Sequence, residues 1–243
     1  MNKQTLQRMQ QMKLHGMHRS FSGVLESSMG NALSSDELLS QLIEAEYDDR
    51  QQRKVERLKK NAKLRYNAQL EEVQYHQERQ LDKVQVTRLA EGDYITKAEN
   101  LIITGSTGVG KSYLACALGH HACEQGVRVG YFVASRLFSH LRIAKQSGLY
   151  IKEMTKLQRT PLLIIDDFGL EPIDASNGRT LLEITEDRYQ QGAMIITSQL
   201  PVESWYELFG ESTVADAILD RLVHNAHRIN LYGESMRKKT NKI

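Results

Sequence analysis

Residues 101–112 read LIITGSTGVGKS, a short apolar run that breaks into a glycine-rich loop closed by Gly-Lys-Ser. Gly105, Gly110, Lys111 and Ser112 satisfy the spacing G-x-x-x-x-G-K-[ST], in which backbone N–H groups turn toward phosphate oxygens. The context fits the motif. Leu101–Thr104 has the composition of a buried strand, and Tyr113–Gln125 reads as the helix that follows. A helix N-terminus adds partial positive charge where phosphates would sit. Gly105, Ser106, Thr107, Gly108, Val109, Gly110, Lys111, Ser112 and Tyr113 are therefore the candidate nucleotide-binding residues, with Lys111 facing the β- and γ-phosphates.

A second apolar run, LLIIDDFG at 162–169, begins after Pro161 and ends in paired acids. An acid at such a strand end holds the Mg2+ shell in P-loop enzymes. Asp166 is the candidate for that role beside the Ser112 hydroxyl, and Asp167 is the candidate for polarising an attacking water. A third run, Met194–Ile196, ends in Thr197, Ser198 and Gln199, whose polar groups suit a γ-phosphate or a lytic water. Arg221 lies on a helical stretch just before a final strand-like run, where it reads equally as a surface ion-pair partner or a functional cation. The strand candidates at 101–105, 128–133, 162–166, 194–198 and 227–231 alternate with helical stretches. That alternation implies an α/β fold with a parallel sheet and a ligand site at the carboxyl ends of its strands.

The 243 residues carry a net charge of only +2, with a mildly acidic centre between basic ends. No run approaches the ~18 apolar residues of a membrane span, and the start, MNKQTLQRMQQ, has no signal-peptide character. With two cysteines and no disulfide framework, the expected compartment is the cytoplasm. Leu14, Met17, Phe21 and Leu25 have helical spacing, and Ser34-x-x-Glu37 has the form of a capping box that opens another helix. A charged helix or pair of helices is expected to continue to about Arg88. Within it, residues 50–65 hold Arg50, Arg53, Lys54, Arg57, Lys59, Lys60, Lys63 and Arg65 against a single acid, Glu56. Arg50, Arg53, Lys54, Arg57 and Lys60 are the candidate DNA contacts, since cations on one helix can follow a phosphate backbone. A solvated helix face is the plainer reading of the same run.

GSTGVGKSYLA, LLIIDDFGLEP, IITSQLPVESW and ADAILDRLVHNAHRI with GESMRKK together resemble the IstB family. Its members are AAA+ helper ATPases of insertion-sequence transposition, related to the helicase loader DnaC and the initiator DnaA. The resemblance covers about residues 95–240, and LHGMHRSF at 14–21 extends it more loosely. It implies a three-layer αβα AAA+ core over 69–243 with strand order 5-1-4-3-2, preceded by an all-helical domain over 1–68. In a departure from most AAA+ proteins, little chain follows the last strand, so a helical lid is not expected. It also implies ATP and Mg2+ as cofactors, with Ser198 and Gln199 as the sensor region. Arg221 becomes an arginine finger acting in trans, so the family pattern includes self-assembly. The expected partners are duplex DNA and a cognate transposase. A DnaC-like helicase loader is the alternative. Asp166-Asp167 departs from the usual Asp-Glu pair, and the shorter second acid predicts slow or DNA-dependent hydrolysis. A lid-borne arginine is expected to be missing, with Arg237 as a candidate substitute.

Overall fold

Leu101, Ile102 and Ile103 are all fully buried, which a strand achieves only with a layer packed on each of its faces. The computed structural model, which describes residues 2–27 and 33–236, supplies both layers. Strands β1 (Asn100–Gly105), β2 (Val129–Val133), β3 (Leu162–Phe168), β4 (Ala193–Ser198) and β5 (Ala226–Leu231) form one parallel sheet in the order β2-β3-β4-β1-β5. Read from the other edge, this is the expected order 5-1-4-3-2.

The helices are α1 (Asn2–Gln11), α2 (His15–Glu26), α3 (Ser35–Ala62), α4 (Lys83–Ala90), α5 (Asp93–Thr96), α6 (Lys111–Glu124), α7 (Ala134–Gln146), α8 (Tyr150–Gln158), α9 (Ala175–Arg188) and α10 (Ser212–Val223). Alternate strand residues serve opposite faces. Leu101, Ile103, Ile164 and Ile195 pack with α6 and the segment before β1, whereas Ile102, Leu163, Ile165 and Ile196 pack with α7 to α10. Among the described residues no helix is long and apolar enough to cross a membrane.

Arg188, only 1 % exposed, ties the far layer to the strand starts. Its guanidinium donates to the carbonyls of Leu157, Thr160 and Ala193 at 2.5–2.8 Å, and burial lowers its pKa to about 10. The Leu157 carbonyl also accepts the Thr160 N–H, so methionine deprives chiefly the Thr160 and Ala193 carbonyls of a donor, each at a cost of about 1–3 kcal/mol. Arg188→Met should therefore destabilise the fold by at least about 2 kcal/mol in urea unfolding followed by Trp205 fluorescence. Trp205 is the single tryptophan and lies 4.8 Å from Phe168 at the end of β3.

Compact units divide between Arg57 and Leu58, earlier than the expected boundary after residue 68. The cause is packing: Ala62 and Ala68 are buried in the second unit's core, with Leu58, Leu64 and Tyr66 against it. The charged helix expected to reach Arg88 also ends sooner, at Ala62, because Lys63 turns left-handed with φ 53°. Short 3-10 turns at Leu70–Glu72 and Gln77–Arg79 then lead to α4.

Within the first unit, the Ser34–Glu37 capping box closes as its spacing implies. Ser34 N–H donates to Glu37 Oε2 at 2.8 Å and Glu37 N–H to Ser34 Oγ at 3.3 Å. A Cβ on Gly16 would stand 2.1 Å from the Ala45 carbonyl oxygen, so only glycine lets α2 approach α3 so closely. Glu46, from α3, accepts from the Gly16 and Met17 N–H groups at 2.9 and 3.3 Å and so serves as the missing cap of α2. Burial works against its charge, but the Arg50 guanidinium and these N–H groups hold its carboxyl below the ordinary range. A carboxylate lowered in this way stabilises the unit above the unfolded pKa, and the contribution is lost as pH falls through the folded value. Helicity of the wild type should therefore fall between roughly pH 5 and pH 3, measured by circular dichroism. Glu46→Gln should show part of that loss already at pH 7.

Candidate nucleotide site

Backbone conformation at the loop after β1 requires glycine. Gly108 and Gly110 have φ of +85° and +97°, and a Cβ on Gly110 would stand 2.8 Å from the Arg79 guanidinium. Lys111 opens α6 and is 6 % exposed. Its ammonium donates to the carbonyls of Gly105 and Ser106 at 2.8 Å each, so the charge is held inside the loop. Ser106 and Thr107 are exposed and Val109 is buried. Arg79, 7 % exposed, braces the loop from outside by donating to the Val109 carbonyl at 2.9 Å. The backbone after β5 crosses it too, with Met236 N–H donating to the Gly108 carbonyl at 2.9 Å. Tyr113, one residue past Ser112, is hydrogen-bonded to Glu72 and tilted against Tyr66.

Asp166 is fully buried at the end of β3. Ser112 Oγ donates to its Oδ1 at 2.8 Å, the Thr197 hydroxyl donates to the same oxygen, and the Tyr131 hydroxyl donates to Oδ2. Burial and the Asp166 charge push the Tyr131 phenol well up, which keeps it a donor. Between Ile165 and Phe168 the register against β4 shifts, and Asp167 sits there left-handed with φ 57°. A regular strand would send neighbouring side chains to opposite faces. The irregularity instead lets both acids reach one cation: Arg65 NH1 lies 3.5 Å from Asp166 Oδ2 and 3.1 Å from Asp167 Oδ2. The Asp167 N–H donates to Thr197 Oγ1 at 3.1 Å, which holds this turn against β4.

The donor set consists of hard oxygens, two carboxylates with three hydroxyls around them, which is the chemistry Mg2+ prefers. The side chains present also attract positive charge, as the position of Arg65 shows. Ser112 and Asp166 therefore fit a Mg2+ ion whose remaining positions would be filled by water and phosphate.

Two expectations are redirected. Ser198 is fully buried, and its hydroxyl is engaged away from the acids, donating to the Phe168 carbonyl at 2.7 Å and accepting from Leu200 N–H. Thr197, one residue earlier, is the hydroxyl that touches Asp166. Gln199 is half-buried just beyond the strand. Arg50 and Arg53 also differ from the expected open basic face: Arg50 pairs with Glu46 at 2.7 Å and Arg53 with Asp49 at 2.5 Å, both partners buried. Lys54, Arg57 and Lys60 are exposed, and no ion pair holds them among the described residues.

Arg221 lies at the other end of the sheet. Asn100, the first residue of β1, donates to the Arg221 carbonyl at 3.1 Å, and β1 spans about 17 Å between there and the loop. The Arg221 guanidinium pairs with Glu186 at 2.7 Å and stays partly exposed. Arg237 lies outside the described residues. Arg79 carries no motif signal. Arg65 sits in a charge run that reads as a solvated face or as a nucleic-acid contact, neither of which points to the carboxylates.

Residues 7–243 match the family described as IstB-like ATP binding protein. A putative insertion sequence ATP-binding protein, y4pL, from Sinorhizobium fredii is 47 % identical over 234 residues, 96 % of each chain. The insertion sequence IS21 putative ATP-binding protein of Pseudomonas aeruginosa is 32 % identical, covering 94 % of this chain and 86 % of its own. The fold is that of the DnaC helicase loader (TM-score 0.58, 21 % identity, 70 % of this chain and 99 % of that one). It is also that of AMPPCP-bound DnaA from Aquifex aeolicus (TM-score 0.59, 20 % identity, 73 % and 54 %).

Proposed function

This chain belongs to the family of IstB-like ATP binding proteins, and from that membership we propose a Mg2+-dependent ATPase that assembles on duplex DNA and assists a transposase. The convergence of Lys111, Ser112, Asp166 and Asp167 at the ends of β1 and β3, the strands that flank β4, carries this reading. Lys111 and the N–H groups of Gly108–Ser112 bind the triphosphate. Ser112 and Asp166 hold Mg2+, which when bound draws charge from the phosphate oxygens. Asp167 orients the attacking water, and Thr197 fixes Asp166. Arg221 is too far from its own loop to serve it, so it works on a neighbouring copy. Insertion sequences supply the names of the curated relatives, which favours a transposase over a replicative helicase as partner. We assign the work to the cytoplasm, where ATP and DNA meet.

For DNA contact the exposed cations on α3 are the ones to test. Reversing Lys54 and Arg57 to glutamate should weaken duplex binding at least tenfold and reduce the salt slope by about 2, one unit for each released phosphate contact. Filter binding across a salt series reads both. Unchanged affinity and slope in a folded double variant would remove DNA from this helix.

A further inference from the structure

The candidate metal site already holds a cation of the chain's own. Arg65 follows α3 by three residues and reaches both carboxylates through one guanidinium nitrogen, at 3.5 and 3.1 Å. Its side chain is 40 % exposed, whereas Asp166 is fully buried. The carboxylate is therefore enclosed, whereas the guanidinium has solvent on one side into which it can swing. The guanidinium also lies 5.5 Å from the centre of the Tyr66 ring, an aromatic face beside which a displaced guanidinium can remain. A divalent ion bound through Asp166 would put two more positive charges within a few ångströms of this guanidinium. In a partly buried site such like charges repel strongly.

We propose that Arg65 is a displaceable counter-ion of the Asp166–Asp167 pair, competing with Mg2+ for the same carboxylate oxygens. Before the metal arrives, Arg65 offsets the cost of two neighbouring carboxylates, one of them buried. When the metal binds, Arg65 withdraws, and Asp167 is released from its 3.1 Å contact to face a water. Loading of the site is thus coupled to movement of the segment that leaves α3. This regulation rests on the ATPase reading for its purpose, but the competition itself does not need a nucleotide.

The test uses the full chain and Mn2+ alone, a spectroscopic substitute for Mg2+, with free ion counted by electron paramagnetic resonance. Arg65→Ala should bind Mn2+ about fivefold more tightly than the wild type, the upper range for a part-exposed ion pair. Arg65→Lys, which keeps the charge but loses the planar guanidinium beside Tyr66, should fall between them. In the wild type, saturating Mn2+ should speed tryptic cleavage after Arg65. Trp205 fluorescence checks that each variant is folded. Equal or weaker Mn2+ binding by folded Arg65→Ala would overturn the proposal. So would cleavage after Arg65 that ignores Mn2+. ATP binding by the wild type is measured separately. Its absence would sink the ATPase reading, whereas unchanged Mn2+ affinity in a protein that binds ATP would sink only the competition.

Discussion

Lys111→Ala should keep the sheet intact and lose the nucleotide. The ammonium is already collected by the Gly105 and Ser106 carbonyls at 2.8 Å inside a loop whose shape glycines permit. Alanine removes a point charge and leaves two carbonyls that solvent can reach through the exposed Ser106 side of the loop. The cost therefore falls on ligand binding rather than on folding. A charge-assisted hydrogen bond is worth about 1.5–3 kcal/mol in the ground state, or at least a tenfold loss of ATP affinity. The transition state carries more charge on the transferred group. Hydrolysis should fall by a further 10²- to 10³-fold or so, the usual loss when one preorganised donor is removed. Equilibrium binding of a fluorescent ATP analogue and phosphate release measure the two effects. Trp205 fluorescence should stay at its wild-type value.

Arg221→Ala should separate binding from chemistry. Arg221 lies beyond the start of β1, about 17 Å along the strand from the loop. Truncating it changes nothing near its own Lys111, so each copy should bind ATP with nearly wild-type affinity. Hydrolysis should fall by about 10³ to 10⁵, the range for loss of an arginine finger. In the single chain the guanidinium pairs with Glu186, half exposed and 2.7 Å away. A proportional loss of ATP affinity in Arg221→Ala would instead mean that the residue supports the fold of its own subunit.

Much of this was readable from residues alone where the chemistry is local. A phosphate loop needs glycine and lysine at fixed spacing, so β1, the loop and α6 were legible together. The buried strands were legible from their apolar runs, whereas their order came with the family resemblance and their register from the structure. What escaped depended on partners distant in sequence or just outside a window. Arg50 and Arg53 look like a free basic stripe only if counting begins at residue 50. Their partners, Glu46 and Asp49, stand one helical turn earlier. Thr197 and Ser198 are indistinguishable in chemistry, and the alternation of β4 decides which hydroxyl meets Asp166. The bulge that turns Asp167 toward the same face has no glycine to announce it, because an aspartate adopts the left-handed conformation itself. Arg65 belongs to the site through an irregular segment that helical periodicity would have carried past it.

If each site is completed by two copies of the chain, mixing two inactive proteins should restore what neither does alone. Lys111→Ala lacks nucleotide but presents a sound Arg221, while Arg221→Ala binds nucleotide but lacks the finger. In an equimolar mixture under assembly conditions with ATP, Mg2+ and duplex DNA, phosphate release should recover well above the sum of the two alone. That recovery requires Arg221 of one copy to reach the loop of another. A mixture that stays as inactive as its parts, while both proteins still co-assemble, would contradict a shared site.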